Sequence, residues 1–170
     1  MPHELEVEAG GQVEAAGQLE AGQEAEFTPT LGRVAAEVLE TMFFTEAVAV
    51  DCEHGWLSDA VAVRVDFDGS HCGEMWLALT PAAIPSIASA FLGLEPEETG
   101  EEQRAQVILE LANILCGAVL SSLWPESRLL LDAPKLTPWE CPEGVWHCCL
   151  ALDEGALAIS IRLSGVKELV

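Results

Sequence analysis

The sequence predicts an α+β domain in which long helices pack on an antiparallel sheet. Three observations carry that prediction. Apolar residues recur at helical spacing in two long segments, near residues 30–47 and 103–123. Alternating apolar residues flank an Asp68-Gly69 pair, the signature of a β-hairpin. After Pro125 the chain returns to strand-like segments.

Residues 1–26 are built mainly from Glu, Gly, Gln and Ala, with Leu5, Val7, Val13 and Leu19 as scattered apolar positions. They read as a disordered acidic tail ahead of a domain at 27–170. A first helix is predicted from Thr30 to about Ala47, because Leu31, Val34, Ala35, Val38, Leu39, Met42 and Phe43 share one face. Thr28-Pro29 supplies its start signal. Val61, Val63, Val65 and Phe67 then alternate, and the Asp68-Gly69 turn leads to Met75, Leu77 and Leu79, giving two antiparallel strands. Thr80-Pro81 opens a short helix that runs through Phe91 and is closed by Gly93. An acidic loop over 95–98 leads to the long helix, whose first turn carries Glu101 and Glu102, the sign of charge a helix N-terminus favours. Strands are predicted at Arg128–Asp132, Val145–Leu152 and Ala156–Leu163, the last two joined by Asp153-Glu154-Gly155.

With 170 residues, half of them hydrophobic, the chain suits one domain with a substantial core. Seven basic against 29 acidic residues give a formal charge of -22, which argues against nucleic acid or an anionic membrane as partner, since phosphates would be repelled. Protein partners and small ligands remain. No basic patch followed by an apolar core is read at the N-terminus, so a cytoplasmic location is expected. In that reducing setting the six cysteines are expected to be free, mostly buried thiols. Val107 to Trp124 is long enough to raise the question of a membrane span, but Glu110 and Asn113 interrupt it and no basic flank follows. A buried amphipathic helix is expected there instead.

That helix holds the main candidate site. Gln103, Gln106, Glu110, Asn113, Gly117 and Ser121 fall on one stripe, while their neighbours are apolar. Glu110 and Asn113 stand at i and i+3, close enough to reach one small target together. On pattern alone the stripe reads first as the ordinary solvent face of a packed helix. A faint internal repeat aligns Arg33, Glu37, Glu40 and Phe44 of the first helix with Gln106, Glu110, Asn113 and Gly117 of the second. The first copy has Glu40 where the second has its amide, and Phe44 where the second has an open glycine.

A rival metal site from Cys141, His147, Cys148 and Cys149 is disfavoured, because adjacent strand residues point to opposite faces. His54 and His71, near Cys52 and Cys72, form no convincing ligand set, and Asp66 and Asp68 read as hairpin residues. There is no nucleophile elbow, phosphate-binding glycine loop or dinucleotide fingerprint. The five tryptophans read mainly as core or sheet-face anchors.

The motif Glu110-Leu-Ala-Asn113-Ile-Leu-Cys-Gly117 with a downstream Pro134 resembles the Glu-x-x-Asn motif of the CheC/CheX family of chemotaxis phosphatases, in its single-site CheX-like form. Softer matches are Val38-Leu39-Glu40-Thr41-Met42, Gly73-Glu74-Met75 and Ala90-Phe91-Leu92-Gly93, and the likeness spans about residues 28–165. Two departures stand out: Gln106 occupies a place where the family often has Ser or Asp, and the gap from Asn113 to Pro134 is two residues shorter than the commonest pattern. The resemblance implies that the substrate is a protein, the aspartyl-phosphate form of a CheY-like response regulator. Asn113 would position the attacking water, Glu110 would pair with the regulator's lysine, and Gln106, Gly117, Ser121 and Pro134 would contact the partner. Mg²⁺ would come from the regulator, with no cofactor or metal of the chain's own. It also implies pairing into a homodimer. A non-catalytic adaptor that binds response regulators, or one of the flagellar-switch type, is the alternative.

Overall fold

The computed structural model describes residues 11–52, 55, 57–140 and 146–166, with side chains from Phe27 onward except at Trp146 and Val166. Three helices lie on one face of an antiparallel sheet, as the hydrophobic pattern requires. The order is α1 (Gly11–Phe43), β1 (Ala47–Val50), β2 (Val61–Gly69), β3 (His71–Leu79), α2 (Ile84–Leu92), α3 (Glu101–Leu123), β4 (Leu129–Leu131), β5 (Lys135–Thr137), β6 (Trp146–Leu152) and β7 (Ala156–Val166). The seven strands are ordered β1-β6-β7-β3-β2-β4, with β5 also on β2. The predicted hairpin pairs Val61 with Leu79 and Phe67 with Gly73. The second predicted hairpin pairs Trp146 with Ile161 and Ala151 with Ala156.

Strand alternation divides the sheet into two faces. Val63, Val65, Phe67, Met75, Leu77, Leu79, Leu157, Ile159 and Ile161 point toward the helices and join Leu31, Leu39, Leu111, Leu115 and Val119 in one core. The opposite face carries Trp76, over which Arg64 and Arg162 lie at 5.8 and 5.1 Å from the ring centroid. Those arginines bracket the half-buried Glu74 at 3.2 and 2.7 Å, and Arg64 also pairs with Asp66 at 2.6 Å. Gly73 sits where β3 shifts register against β7. A Cβ there would collide with the Arg162 carbonyl and the Phe67 ring, so only glycine fits.

Several expectations change. Helix α1 reaches back to Gly11, into the stretch expected to be an unstructured tail, with Pro29 inside it. Low hydrophobicity argued against packing, but Gln, Glu and Ala are all strong helix formers. Residues 1–10 lie outside the described residues. The helix ends at Phe43, and the expected continuation to Ala47 is cut by Phe44, which adopts a left-handed backbone (φ 49°) and is 81 % exposed. Ala47 instead begins β1, a strand of alternating Ala and Val that was not predicted. The short β5 was also unforeseen. The expectation of free thiols fails for one pair: Cys52 and Cys149, 97 residues apart, are joined in a disulfide brought together by β1–β6 pairing. Cys72, Cys116 and Cys148 are free. Burial pushes the Cys116 thiol up to about 12, so it behaves as a small apolar core residue.

The C-terminal end of α3 is fixed by Trp124, which stacks on His71 at 3.9 Å and meets Phe27 edge-on at 5.7 Å. The buried His71 Nδ1 has no hydrogen-bond partner among the described residues, and burial lowers the pKa of this imidazole below its usual 6.5. The unfolded chain therefore takes up this proton first. The contribution of neutral His71 to stability is full above about pH 6.5 and declines as the pH falls toward its folded value. Denaturant unfolding on either side of that range should show a loss of stability at the acid end that is smaller in His71→Gln; an equal loss would mean that His71 does not contribute.

Candidate functional site

Helix α3 is positioned from both ends. Its first turn is tied by Gln103 Oε1, which accepts the Gly100 amide at 3.0 Å. Arg104 reaches back to donate to Thr99 Oγ1 at 2.8 Å and to the Pro96 carbonyl at 3.0 Å. Val107, Ile108, Leu111, Ala112, Leu115, Cys116, Val119 and Leu120 are buried. The helix is long and apolar enough to cross a membrane, with a mean hydropathy of 1.7 over its most apolar stretch. Here those apolar residues form the domain core.

The polar stripe lies on the opposite side. Gln106, Glu110 and Ser121 are exposed, and Asn113 and Gly117 are half-buried. Among the described residues, neither the Glu110 carboxylate nor the Asn113 carboxamide has a hydrogen-bond or ion-pair partner within the chain. Space is open beside them, since a Cβ built on Gly117 would have no neighbour within 4 Å. Gly117 and Ser121 edge a small cleft of about 130 Å³ shared with Trp124, Pro125, Leu129 and Leu131. At the other end of the helix, Leu136 borders Arg104, Ala105 and Ile108. Half-buried Pro134 lies in the β4–β5 connection. Gln106, Glu110, Asn113, Gly117 and Ser121 thus line one edge of α3.

The aligned positions on α1 differ. Glu37 is engaged by Arg33 at 3.6 Å, and Glu40 is an exposed carboxylate. Phe44, expected to crowd the place of Gly117, lies beyond the end of the helix.

Residues 61–137 match the family model described as chemotaxis phosphatase CheX, a segment that contains Glu110, Asn113, Gly117 and Pro134. That segment is CheX-like. The fold of the chain is similar to that of chemotaxis protein CheX from Vibrio vulnificus, with a TM-score of 0.67 and 19% identity over 83% of this chain and 98% of that one. The CheX of the CheX–CheY–BeF3–Mg²⁺ complex from Borrelia burgdorferi gives 0.61 and 16% identity, over 82% and 98% of the two chains. Thermotoga maritima FliY gives 0.57 and 16% identity, over 86% and 90%. No curated protein matches the chain by sequence.

The metal set weighed in the sequence does not assemble as listed there. Cys148 points into the core, where its sulfur lies 3.1 Å from a Cβ built on Gly32, while His147 and Cys149 face the other way. Cys141 lies outside the described residues. A grouping that sequence reasoning missed takes its place: the ligand atoms of Cys52, His147 and Cys149 lie within 4.8 Å of one another. The available signal was the period-two spacing of His147 and Cys149. Their meeting with Cys52 needed knowledge of strand pairing.

The polar stripe of α3 generates a stability prediction. Glycine inside a helix is less favourable than alanine by about 0.5–1 kcal/mol, and Gly117 touches nothing that an added methyl would displace. Gly117→Ala should therefore raise the unfolding free energy by about that amount in urea titrations. A loss of stability would show that the glycine is needed for packing.

Proposed function

We propose that this chain is a phosphatase for the aspartyl-phosphate of a CheY-like response regulator, with Asn113 and Glu110 on the exposed edge of α3 as its working groups. The single observation that carries the reading is an unpartnered carboxamide and carboxylate, one turn apart beside an open glycine, on the helix of a CheX-like fold. Support for the partner comes from the CheX–CheY complex of a structurally similar protein.

In such a regulator the phosphoryl group lies beside Mg²⁺ and a lysine, so the charge on the transferring group is neutralised by the partner. The chain brings no cofactor or metal of its own to this step. What remains is to place water in line with the phosphorus. Asn113 suits that task, because its carbonyl oxygen accepts a hydrogen bond from water while its NH₂ donates one to a phosphoryl oxygen. Glu40, in the equivalent place on α1, would add negative charge beside an anionic transition state. Glu110 pairs with the regulator's lysine and sets the register of docking. Gly117 and Ser121 keep the helix edge slim, and Gln106 and Pro134 border the docked surface. Pairing of two copies into a homodimer and a cytoplasmic location belong to the same reading. Docking of a regulator without catalysis is the alternative reading, since one fold can host both roles.

Loss of one well-placed transition-state group costs about 10²–10³ in rate, about 2.7–4 kcal/mol. Asn113→Ala should lose stimulated hydrolysis by that factor while still binding the regulator, and Glu110→Ala should lose affinity as well. Phosphate release from a phosphorylated CheY-like regulator in Mg²⁺, with binding measured in parallel, checks both. Undiminished stimulation by Asn113→Ala would remove the amide from the mechanism.

A further inference from the structure

Away from α3, on the sheet face opposite the helices, three metal-binding side chains converge. Cys52 follows β1 and continues the side of that strand on which Val48 and Val50 are exposed. Val50 pairs with Cys149, so the two cysteines share a face. His147, two residues earlier on β6, presents Nε2 to the Cys149 sulfur at 3.6 Å. Its Nδ1 lies 2.9 Å from the Oγ of the fully buried Ser160, directly across the β6–β7 ladder. Thus a hydrogen bond fixes the ring from behind while the other nitrogen faces two sulfurs.

We propose that in the reduced protein Cys52, His147 and Cys149 form a zinc site of the Cys₂His type, and that the Cys52–Cys149 disulfide is its oxidised, metal-free state. The geometry fits. With Zn–S near 2.3 Å and Zn–N near 2.1 Å, tetrahedral coordination places a nitrogen and a sulfur about 3.6 Å apart. That matches the His147–Cys149 separation. The donor set of two thiolates and an imidazole suits zinc rather than magnesium or calcium, which prefer oxygen. Donation of the Nδ1 hydrogen to Ser160 Oγ frees the Nε2 lone pair for the metal, the outer-shell support that metal-bound histidines use. Three protein donors leave a fourth position for water or another ligand. Cys52 is exposed, which gives metal and reductant access, while Cys149 is buried and anchors the site to the sheet.

Interconversion balances with two equivalents of a small thiol, RSH. The Cys52–Cys149 S–S bond is reduced, RSSR forms, Zn²⁺ binds the two protein thiolates, and two protons are released. The site is independent of Glu110 and Asn113, so the inference stands or falls apart from the phosphatase reading.

The test uses the full chain, reduced by a phosphine, desalted without oxygen and titrated with Co²⁺ and then Zn²⁺. One equivalent of cobalt should give a sulfur-to-metal charge-transfer band that zinc displaces, and the oxidised chain should give none. The band should vanish in Cys52→Ser and His147→Ala and persist in Cys72→Ser and Asn113→Ala. Ser160→Ala should weaken binding about 10- to 100-fold. Cys52 is exposed, so its replacement leaves the core intact, whereas Cys149 is buried and its replacement would disturb packing. No band in the reduced chain, uptake by the oxidised chain, or a band that survives Cys52→Ser and His147→Ala would each overturn the proposal.

Discussion

The burial of α3 is the constraint on which the rest depends. Leu111, Leu115 and Val119 are fully removed from solvent, each contributing about 1.5–3 kcal/mol, and they set the rotation of the helix about its axis. Once those side chains face the core, the stripe from Gln103 to Ser121 has one direction left, outward. The tie of Arg104 to Thr99 and Pro96 and the packing of Trp124 then fix the helix along its axis. A functional edge made this way is rigid, because moving it would expose the core that holds it.

The same logic explains why one helix is the better candidate. On α1, Glu37 is tied up by Arg33 and Glu40 carries a charge where a neutral amide is wanted. On α3 the carboxylate and amide are uncommitted and space is open beside them. A docking partner would therefore gain interactions on α3 without first breaking any, whereas on α1 it would compete with an existing ion pair. The disulfide-linked cluster on the far face of the sheet is a separate feature, held by strand register rather than by helix burial.

What was legible in the sequence follows from how local each signal is. The hairpin of β2 and β3, the short helix ended by Gly93 (φ 67°) and the long helix α3 announced themselves through period and turn chemistry over many residues. The stripe on α3 was legible for the same reason, since helical spacing alone puts Glu110 and Asn113 together. Strand β1 was lost because Ala47–Val50 is four residues long and follows closely on the apolar pattern of the first helix. Strand β5 is shorter still. The start of α1 was misplaced because Thr28-Pro29 reads as a beginning, yet the proline sits inside the helix. The Cys52–Cys149 meeting was illegible for a different reason: the residues are 97 apart, and only the β1–β6 register joins them. Alternation correctly separated Cys148 from His147, and carried one step further it would have united His147 with Cys149.

The most direct measurement is a count of turnovers: regulator molecules dephosphorylated per chain, with phosphorylated CheY-like regulator in large excess over wild-type protein. Many turnovers per chain are predicted for a catalytic edge on α3. Decay that is unaffected, or that quickens only until each chain has engaged one regulator, would contradict catalysis and leave that edge as a docking surface.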